Sequence, residues 1–366
     1  MQAVILVGGE GTRLRPLTST VPKPVVPLVD RPFIAYTLEW LARHGVDDVV
    51  VSCGFLATAV RNVLGDGSQY GLRLRFVEEP DPRGTAGALK YAEDLLDERF
   101  LMLNGDVLTD IDLTAQLAQH EATGAVGTLA LVPVADPSAY GLVRLHEDNS
   151  VRGFVEKPAA DQIDTNRISA GAYILERSVL DLIPPDRNVS IERDVWPRLV
   201  DHGLYGFPAE AYWLDIGTPA RYLQGTFDIL EGNVHTAVAE RLGDTYLSVD
   251  DRAVVDGRVI PPALVERECT IAEGAHVGSL VVLGEGVTVG EGATIERSVV
   301  LNGAQIGAGA VLRDCIVAAG VRIGAGTTVA GGAVLGEGVT IGAQNVLDHG
   351  VRVFPGTEIA DGAIRF

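Results

Sequence analysis

The chain has 366 residues, 43 of them glycine, well above the usual share of about 7%. With 47% apolar and 21% charged residues it is an ordinary globular composition, which excludes wholesale disorder, and proline at 18 with no G-X-Y period excludes collagen. A formal charge of −20 makes the chain a poor partner for nucleic acid or an anionic membrane, so an anionic ligand would need a few well-placed cations, backbone amides or a metal.

The length predicts two domains. Lys23, Lys90 and Lys157 are the only lysines among 29 basic residues. Cys53, Cys269 and Cys315 are odd in number, far apart and without CxxC spacing, which fits a reducing compartment rather than a disulfide framework or zinc site. The first residues lack a cationic n-region and run directly into glycines. No apolar run approaches about 18 residues, so neither a signal peptide nor a membrane span is expected and the expected location is the cytoplasm.

Taken in order, Ala3–Leu6 reads as a strand ended by Gly8-Gly9, and residues 31–44 as a helix with Phe33, Ile34, Leu38 and Leu41 on one face. Val49–Cys53 reads as a strand, 55–64 as a helix, Leu74–Val77 as a strand and Thr85–Leu96 as a helix. Phe100–Leu103 reads as a strand running into Asn104-Gly105-Asp106, followed by a helix over 112–122 and a strand over 127–132. This alternation predicts βαβ units on a mainly parallel sheet. Residues 141–145 and 151–155 then read as a hairpin, 172–175 as a further strand and 221–231 as a closing helix. Lys90 reads as a surface residue.

The second half has another rhythm. Ile271, Val277, Leu283, Val289 and Ile295 step by six, as do Val300, Ile306 and Leu312, and then Val317, Ile323, Val329, Leu335, Ile341, Leu347, Val353 and Ile359. The breaks at 295→300 and 312→317 are five-residue steps. Such a period with glycine after many apolar positions is the signature of a parallel β-helix, one hexapeptide per face. The predicted division is 1–231 as an α/β domain, 232–265 as linker and cap, and 266–366 as the β-helix, whose flat faces and open end suggest homo-oligomer assembly.

Ligands should meet the sheet beyond the carboxyl ends of its parallel strands. The first strand runs into Gly8-Gly9-Glu10-Gly11-Thr12-Arg13-Leu14-Arg15-Pro16-Leu17-Thr18, which is neither a Walker A loop nor a dinucleotide fingerprint. Its glycine amides and two arginines suit phosphate, and Lys23 in Pro22-Lys23-Pro24 places a scarce cation in a rigid frame. Asp106 and Asp215, each at a predicted strand end, suit a hard divalent cation that takes one or two carboxylates plus substrate phosphates.

The glycine loop with Pro22-Lys23-Pro24, followed in order by Gly84-Thr85-Ala86-Gly87, Asn104-Gly105-Asp106, Tyr140-Gly141, Phe154-Val155-Glu156-Lys157-Pro158 and Trp213-Leu214-Asp215-Ile216-Gly217-Thr218, resembles the signature of the nucleotide-diphospho-sugar pyrophosphorylases. The resemblance covers nearly the whole chain, since a C-terminal left-handed β-helix often accompanies that domain. It implies a Rossmann-like nucleotidyltransferase domain of mixed, mainly parallel sheet, and transfer of a nucleotidyl group from a nucleoside triphosphate to a sugar 1-phosphate with Mg2+. It implies nucleotide contacts from Leu6, Gly8, Gly9, Gly11, Thr12, Arg13, Glu79, Gly84, Thr85 and Asp106. Gly141, Glu156, Lys157, Ser169 and Gly171 would hold the sugar phosphate. Arg13, Lys23, Asp106, Lys157 and Asp215 would be catalytic, with Asp106 and Asp215 as metal ligands.

Within the family, Pro22-Lys23-Pro24, 79–87, 138–141 and 190–197 are most similar to the mannose-1-phosphate guanylyltransferases, which implies GTP and mannose 1-phosphate. Ser169 stands where that group usually has asparagine, and Pro24 where glucose-1-phosphate thymidylyltransferases usually have glutamine. The alternatives are a thymidylyl-, uridylyl- or adenylyltransferase for glucose 1-phosphate, a bifunctional acyltransferase using His276 or His349, and a non-catalytic nucleotide-sugar sensor. The uninterrupted glycine loop and intact charged set favour an active enzyme, and the two histidines read as solvated loop residues.

Overall fold

The computed structural model describes residues 1–54 and 57–365 and divides into two compact units, one of residues 1–9 and 34–213, the other of residues 10–33 and 214–366. No helix among the described residues is long and apolar enough to cross a membrane.

The first unit is built on a nine-stranded sheet. Its strands are β1 (Gln2–Leu6), β2 (Asp48–Cys53), β3 (Arg73–Glu78), β4 (Arg99–Asn104), β5 (Gly127–Pro133), β6 (Gly141–Leu145), β7 (Val151–Glu156), β8 (Arg167–Glu176) and β9 (Leu204–Pro208). The order is β7-β6-β8-β4-β1-β2-β3, with β5 beside β8 and β9 beside β5. β1 lies parallel between β2 and β4, so the chain crosses over in opposite directions on its two sides. That switch point leaves a crevice at the carboxyl end of β1, where the glycines follow. The strands after β4 account for the antiparallel part: β8 pairs antiparallel with β4, β5 and β6.

The helices of this unit include α1 (Phe33–Arg43), α2 (Ala57–Leu64), α3 (Gly84–Tyr91) and α4 (Leu113–Thr123). Phe55 and Leu56, at the start of the helix expected over 55–64, lie outside the described residues. The helix expected over Thr85–Leu96 is an α-helix only to Tyr91 and then a short 3-10 turn. α4 starts where Asp112 caps it by accepting from Ala115 N–H. Lys90 is half-buried and pairs with Glu93 one turn on, at 2.8 Å.

The second unit contains the helices α5 (Pro219–Leu230) and α6 (Ala237–Leu242) and a coil of three parallel sheets with seven, seven and six strands. This is the left-handed β-helix of hexapeptide repeats. Most coil turns advance 18 residues, as from Ile316 to Val334. Two advance 17, from Val282 to Val299 and from Val299 to Ile316. These contain the five-residue steps at 295→300 and 312→317, so the shortened steps remove one residue from a corner without moving the apolar position off the inner face.

The coil starts before the six-residue rhythm becomes legible. Leu247–Val249, Val254–Val255 and Arg258–Val259 pair in register with the strands one turn on, so 232–265, expected as linker and cap, holds α6 and the first turn. That turn is more exposed, with Val254 at 55%, and needs no full complement of inward apolar residues. The glycines serve two purposes. Gly307 lies against the next turn, where a Cβ would stand 2.7 Å from Ala325 N, whereas Gly309 has open space but φ +64. His276 is exposed on a strand rather than in a loop, and His349 is exposed in a turn.

Candidate active site

In the first unit, β1 runs out through half-buried Leu6 and buried Val7, whose N–H donates to Ser52 O at 2.9 Å, and exposes Gly8 and Gly9. Gly8 passes close to Gly54 at the end of β2: a Cβ on Gly54 would stand 3.1 Å from Gly8 O. Below them Ser52 Oγ donates to Glu79 Oε1 at 2.9 Å. Burial raises the Glu79 carboxyl above its ordinary value, against the lowering effect of the Ser52 hydrogen bond. Backbone and one half-buried carboxylate thus form a lip at the switch point. Gly54 and Ser52 were not singled out from the sequence, because only the parallel pairing of β1 and β2 brings them there.

A group whose pKa is raised on folding stabilises most below its unfolded value, near 4.5 for this carboxyl, and loses that contribution as pH rises through the folded value. Glu79→Gln is therefore expected to melt higher than the unsubstituted protein at pH 8 and to lose that advantage at pH 4. Thermal melts at the two pH values check this; an advantage that grows toward pH 4 would contradict it.

Asp106 follows β4. Gly105 N–H donates to Leu6 O at 3.0 Å, and a Cβ on Gly105 would stand 2.9 Å from that same oxygen. A glycine here lets the β4 end close onto β1 and sets half-buried Asp106 beside the crevice.

Gly84 and Gly87 begin α3, and the space they leave is filled by the protein's own backbone. A Cβ would meet Val189 O at 2.6 Å from Gly84 and Arg187 O at 2.5 Å from Gly87. Ala86 N–H donates to Val189 O at 2.9 Å, and Ile191 N–H donates to Thr85 Oγ1 at 2.8 Å. Thr85 Oγ1 in turn donates to Glu192 Oε2 at 2.8 Å, and Ser190 Oγ to the same oxygen at 2.7 Å. The 84–87 segment thus docks 187–192 and orients Glu192, a carboxylate not among the expected site residues.

Glu192 belongs with the residues expected at the sugar. Glu156 ends β7, and its carboxyl is raised by burial first and the Glu192 charge second, while Lys157 opposes both. Gly141 stands opposite Glu156 across the hairpin, where a Cβ would meet Phe154 Cζ at 2.5 Å and Glu156 Oε2 at 3.2 Å. Lys157 is exposed at φ +52, its N–H held by Tyr140 O at 3.0 Å. Ser169 Oγ and Tyr173 Oη are 3.0 Å apart. Between them the β8–β5 register shifts, and Gly171 sits in that irregularity at φ +76, where a Cβ would lie 2.8 Å from Asn104 Nδ2. Trp213 Nε1–H donates to Ala170 O at 2.8 Å and its ring meets Tyr140 edge-on at 5.2 Å. Tyr140, Tyr173, Glu192 and Trp213 therefore join Gly141, Glu156, Lys157, Ser169 and Gly171 in one group, through contacts far apart in the chain.

In the second unit, Gly11 is left-handed at φ +63, and a Cβ there would stand 2.9 Å from Lys23 Cβ. Thr18 Oγ1 donates to Gly11 O at 2.8 Å. The turn Thr12–Leu14 is anchored by Leu14, 2% exposed, and leaves Thr12 and Arg13 exposed. Lys23 is 8% exposed, its stem packed on Gly11 in a turn framed by Pro22 and Pro24. Downstream, a Cβ on Gly217 would lie 2.8 Å from Arg13 Nη2 and 3.3 Å from Asp215 Oδ1. Gly11, Arg13 and Lys23 are thus gathered in this unit with Asp215, while Asp106 and Lys157 belong to the first.

Among the described residues no three or more His, Cys, Asp or Glu side chains cluster as metal ligands. Separate single carboxylates fit a magnesium-type ion, which takes most of its ligands from water and substrate phosphates rather than from an all-protein cage.

The nucleotidyl transferase family model matches residues 2–232, and the GMPPB C-terminal domain matches 259–364. A mannose-1-phosphate guanylyltransferase of Mycobacterium tuberculosis is 37% identical over 81% of this chain and 83% of its own length. A mannose-1-phosphate guanyltransferase of Candida albicans is 43% identical over 62% of this chain, which spans 64% of that relative. A UTP–glucose-1-phosphate uridylyltransferase of Synechocystis is 31% identical over 84% of both. Among solved structures, HddC from Yersinia pseudotuberculosis complexed with GMP-PN is 30% identical, with a TM-score of 0.53, over 61% of this chain and 96% of its own. A family model covering well over half of the chain and a relative matched along most of its length agree with the crevice and the coil, and the chain belongs to the nucleotidyl transferase family.

Proposed function

We propose that the protein joins GTP to mannose 1-phosphate, forming GDP-mannose and pyrophosphate. The observation that carries this reading is the 37% identity to the M. tuberculosis mannose-1-phosphate guanylyltransferase along four fifths of both chains, together with the matching C-terminal domain. The HddC complex adds a guanine nucleotide on a related fold.

The chemistry follows from charge. A sugar 1-phosphate is already a nucleophile at neutral pH, so the residues must align it with the α-phosphorus of the triphosphate and neutralise repulsion. The exposed amides of Gly8 and Gly9, with Gly11, Thr12 and Arg13, would hold the triphosphate and the departing pyrophosphate. The framed ammonium of Lys23 would stand by the reacting phosphates. Leu6, Glu79, Gly84 and Thr85 would border the base, with the Glu79 carboxylate accepting from guanine N–H groups. Lys157 would take the sugar's phosphate, and Glu156, Ser169 and the Gly141 and Gly171 backbone its hydroxyls. Members of this family generally use a divalent metal. Here Mg2+ would be held by Asp106 and Asp215, and it supplies charge neutralisation at the phosphates. The three buried free cysteines suit a reducing cytoplasm, and the coil would serve homo-oligomer assembly.

The second reading is a uridylyltransferase for glucose 1-phosphate, favoured by the Synechocystis relative. Pyrophosphate release with Mg2+, each common nucleoside triphosphate and mannose or glucose 1-phosphate separates the two. GTP with mannose 1-phosphate is expected to be the best pair. UTP with glucose 1-phosphate as best pair would replace the substrate assignment, and no pyrophosphate from any pair would end the transferase reading.

A further inference from the structure

We infer that Arg352, on a strand of the β-helix, is a positioning residue for the glycine loop, so that the coil shapes the catalytic apparatus as well as any assembly. The inference deepens the proposed transferase reading and rests on it for its kinetic consequence. Arg352 Nη1 donates to Arg13 O at 3.2 Å and to Arg15 O at 3.0 Å. These two carbonyls close the C-terminal end of the Thr12–Leu14 turn, where a cation satisfies oxygens that the turn itself leaves over and meets the negative end of its dipoles.

The contact is made on the loop's backbone, which leaves the Arg13 side chain for other work. That guanidinium lies over Gly217 beside Asp215. Arg352 also lines a cavity of about 400 Å3 with Thr218, the N-cap of α5, and Pro219, its first residue, immediately after Asp215-Ile216-Gly217. One arginine therefore touches the segment carrying Arg13 and borders the helix start that follows Asp215. A second tie lies in the same region of the coil, where Thr20 Oγ1 donates to Glu337 Oε2 at 2.8 Å. At this end Thr12, Arg13 and Arg15 are exposed, and the loop's own bonds, Leu14 N–H to Gly11 O, Arg15 N–H to Thr12 O and Leu17 N–H to Leu14 O, use other carbonyls than those of Arg13 and Arg15. Two hydrogen bonds from an always-charged, forked donor reduce the motion of Arg13 before the triphosphate arrives.

The test compares Arg352→Ala, Arg352→Lys and a control, Arg313→Ala, whose side chain pairs with Glu296 within the coil. Hydrogen exchange of the amides in 12–19 reads the contact without reference to activity. Steady-state kinetics read its consequence. Arg352→Ala is expected to speed exchange in 12–19 and to raise the triphosphate KM about tenfold with little change in kcat and in sugar-phosphate KM, the size expected for two lost hydrogen bonds. Arg352→Lys should recover part of both effects, and Arg313→Ala neither effect. Unchanged exchange in Arg352→Ala, a triphosphate KM within twofold of the unsubstituted enzyme, or an equal loss in the control would overturn the inference. An unsubstituted protein that releases no pyrophosphate would fail the transferase reading instead, while the exchange result would still decide the contact.

Discussion

Asp106→Asn should lower turnover by on the order of a thousandfold while leaving the fold intact. Asparagine keeps the size and shape of the side chain, so the approach of Gly105 to Leu6 O that sets the position is undisturbed. What is lost is the negative charge. Without it a divalent ion has one fewer anionic ligand in a protein that offers no cluster of three among its described residues. Replacing one of at most two carboxylates should therefore also raise the Mg2+ concentration needed for half-maximal rate. Pyrophosphate release across a magnesium titration, beside a melting curve, measures both. Normal activity at ordinary magnesium would refute the assignment of Asp106 to the metal.

Trp196→Ala should have the largest effect on stability, about 3–5 kcal/mol in the first unit. Trp196 is 0% exposed, and its ring packs against Tyr173 at 5.3 Å in the core cluster that also holds Met102, Leu129, Val179 and Ile191. Truncation leaves a void that the crossing strands cannot collapse into. The indole N–H has no hydrogen-bond partner among the described residues, so Trp196→Phe removes less volume, breaks no such contact and should cost under about 2 kcal/mol. Trp40, Trp196 and Trp213 all belong to the first unit, so tryptophan fluorescence during denaturant unfolding reports on that unit. Equal costs for the two substitutions would show that packing volume is not what Trp196 contributes. Because Trp196 directly follows the turn that carries Glu192, the alanine variant should also lose sugar-phosphate affinity.

Much of the fold was legible because its signals are periodic. The βαβ alternation through residue 132 and the six-residue steps of the coil both record which residues face a core, and burial imposes that pattern on the chain itself. The two five-residue steps were equally plain. The first coil turn was not, because Val254 and Val255 face outward at an open end and the inward pattern is incomplete there. The charged candidates were legible for a different reason. Lys23 and Lys157 are scarce residues framed by prolines or followed by one, and Asp106 follows a strand through Asn104-Gly105.

What escaped the sequence reading depended on pairing across distance. The packing of Gly84 and Gly87 against the protein's own chain was not legible: a Cβ at either would meet the backbone of Val189 or Arg187. Glu192 lies in a segment noted only for its resemblance, and Thr85 and Ser190 hold it where its charge acts on Glu156. Arg352 is one exposed arginine among many, 337 residues from Arg15. The sequence by itself determined the α/β sheet with its βαβ crossings, the coil and the chemical class of the site, since apolar period and glycine placement are local consequences of burial and backbone geometry. Tertiary structure alone decided which glycines pack against the protein's own chain, because that turns on what lies within about 3 Å of where a Cβ would stand, and strand order and docking set such distances where periodicity cannot.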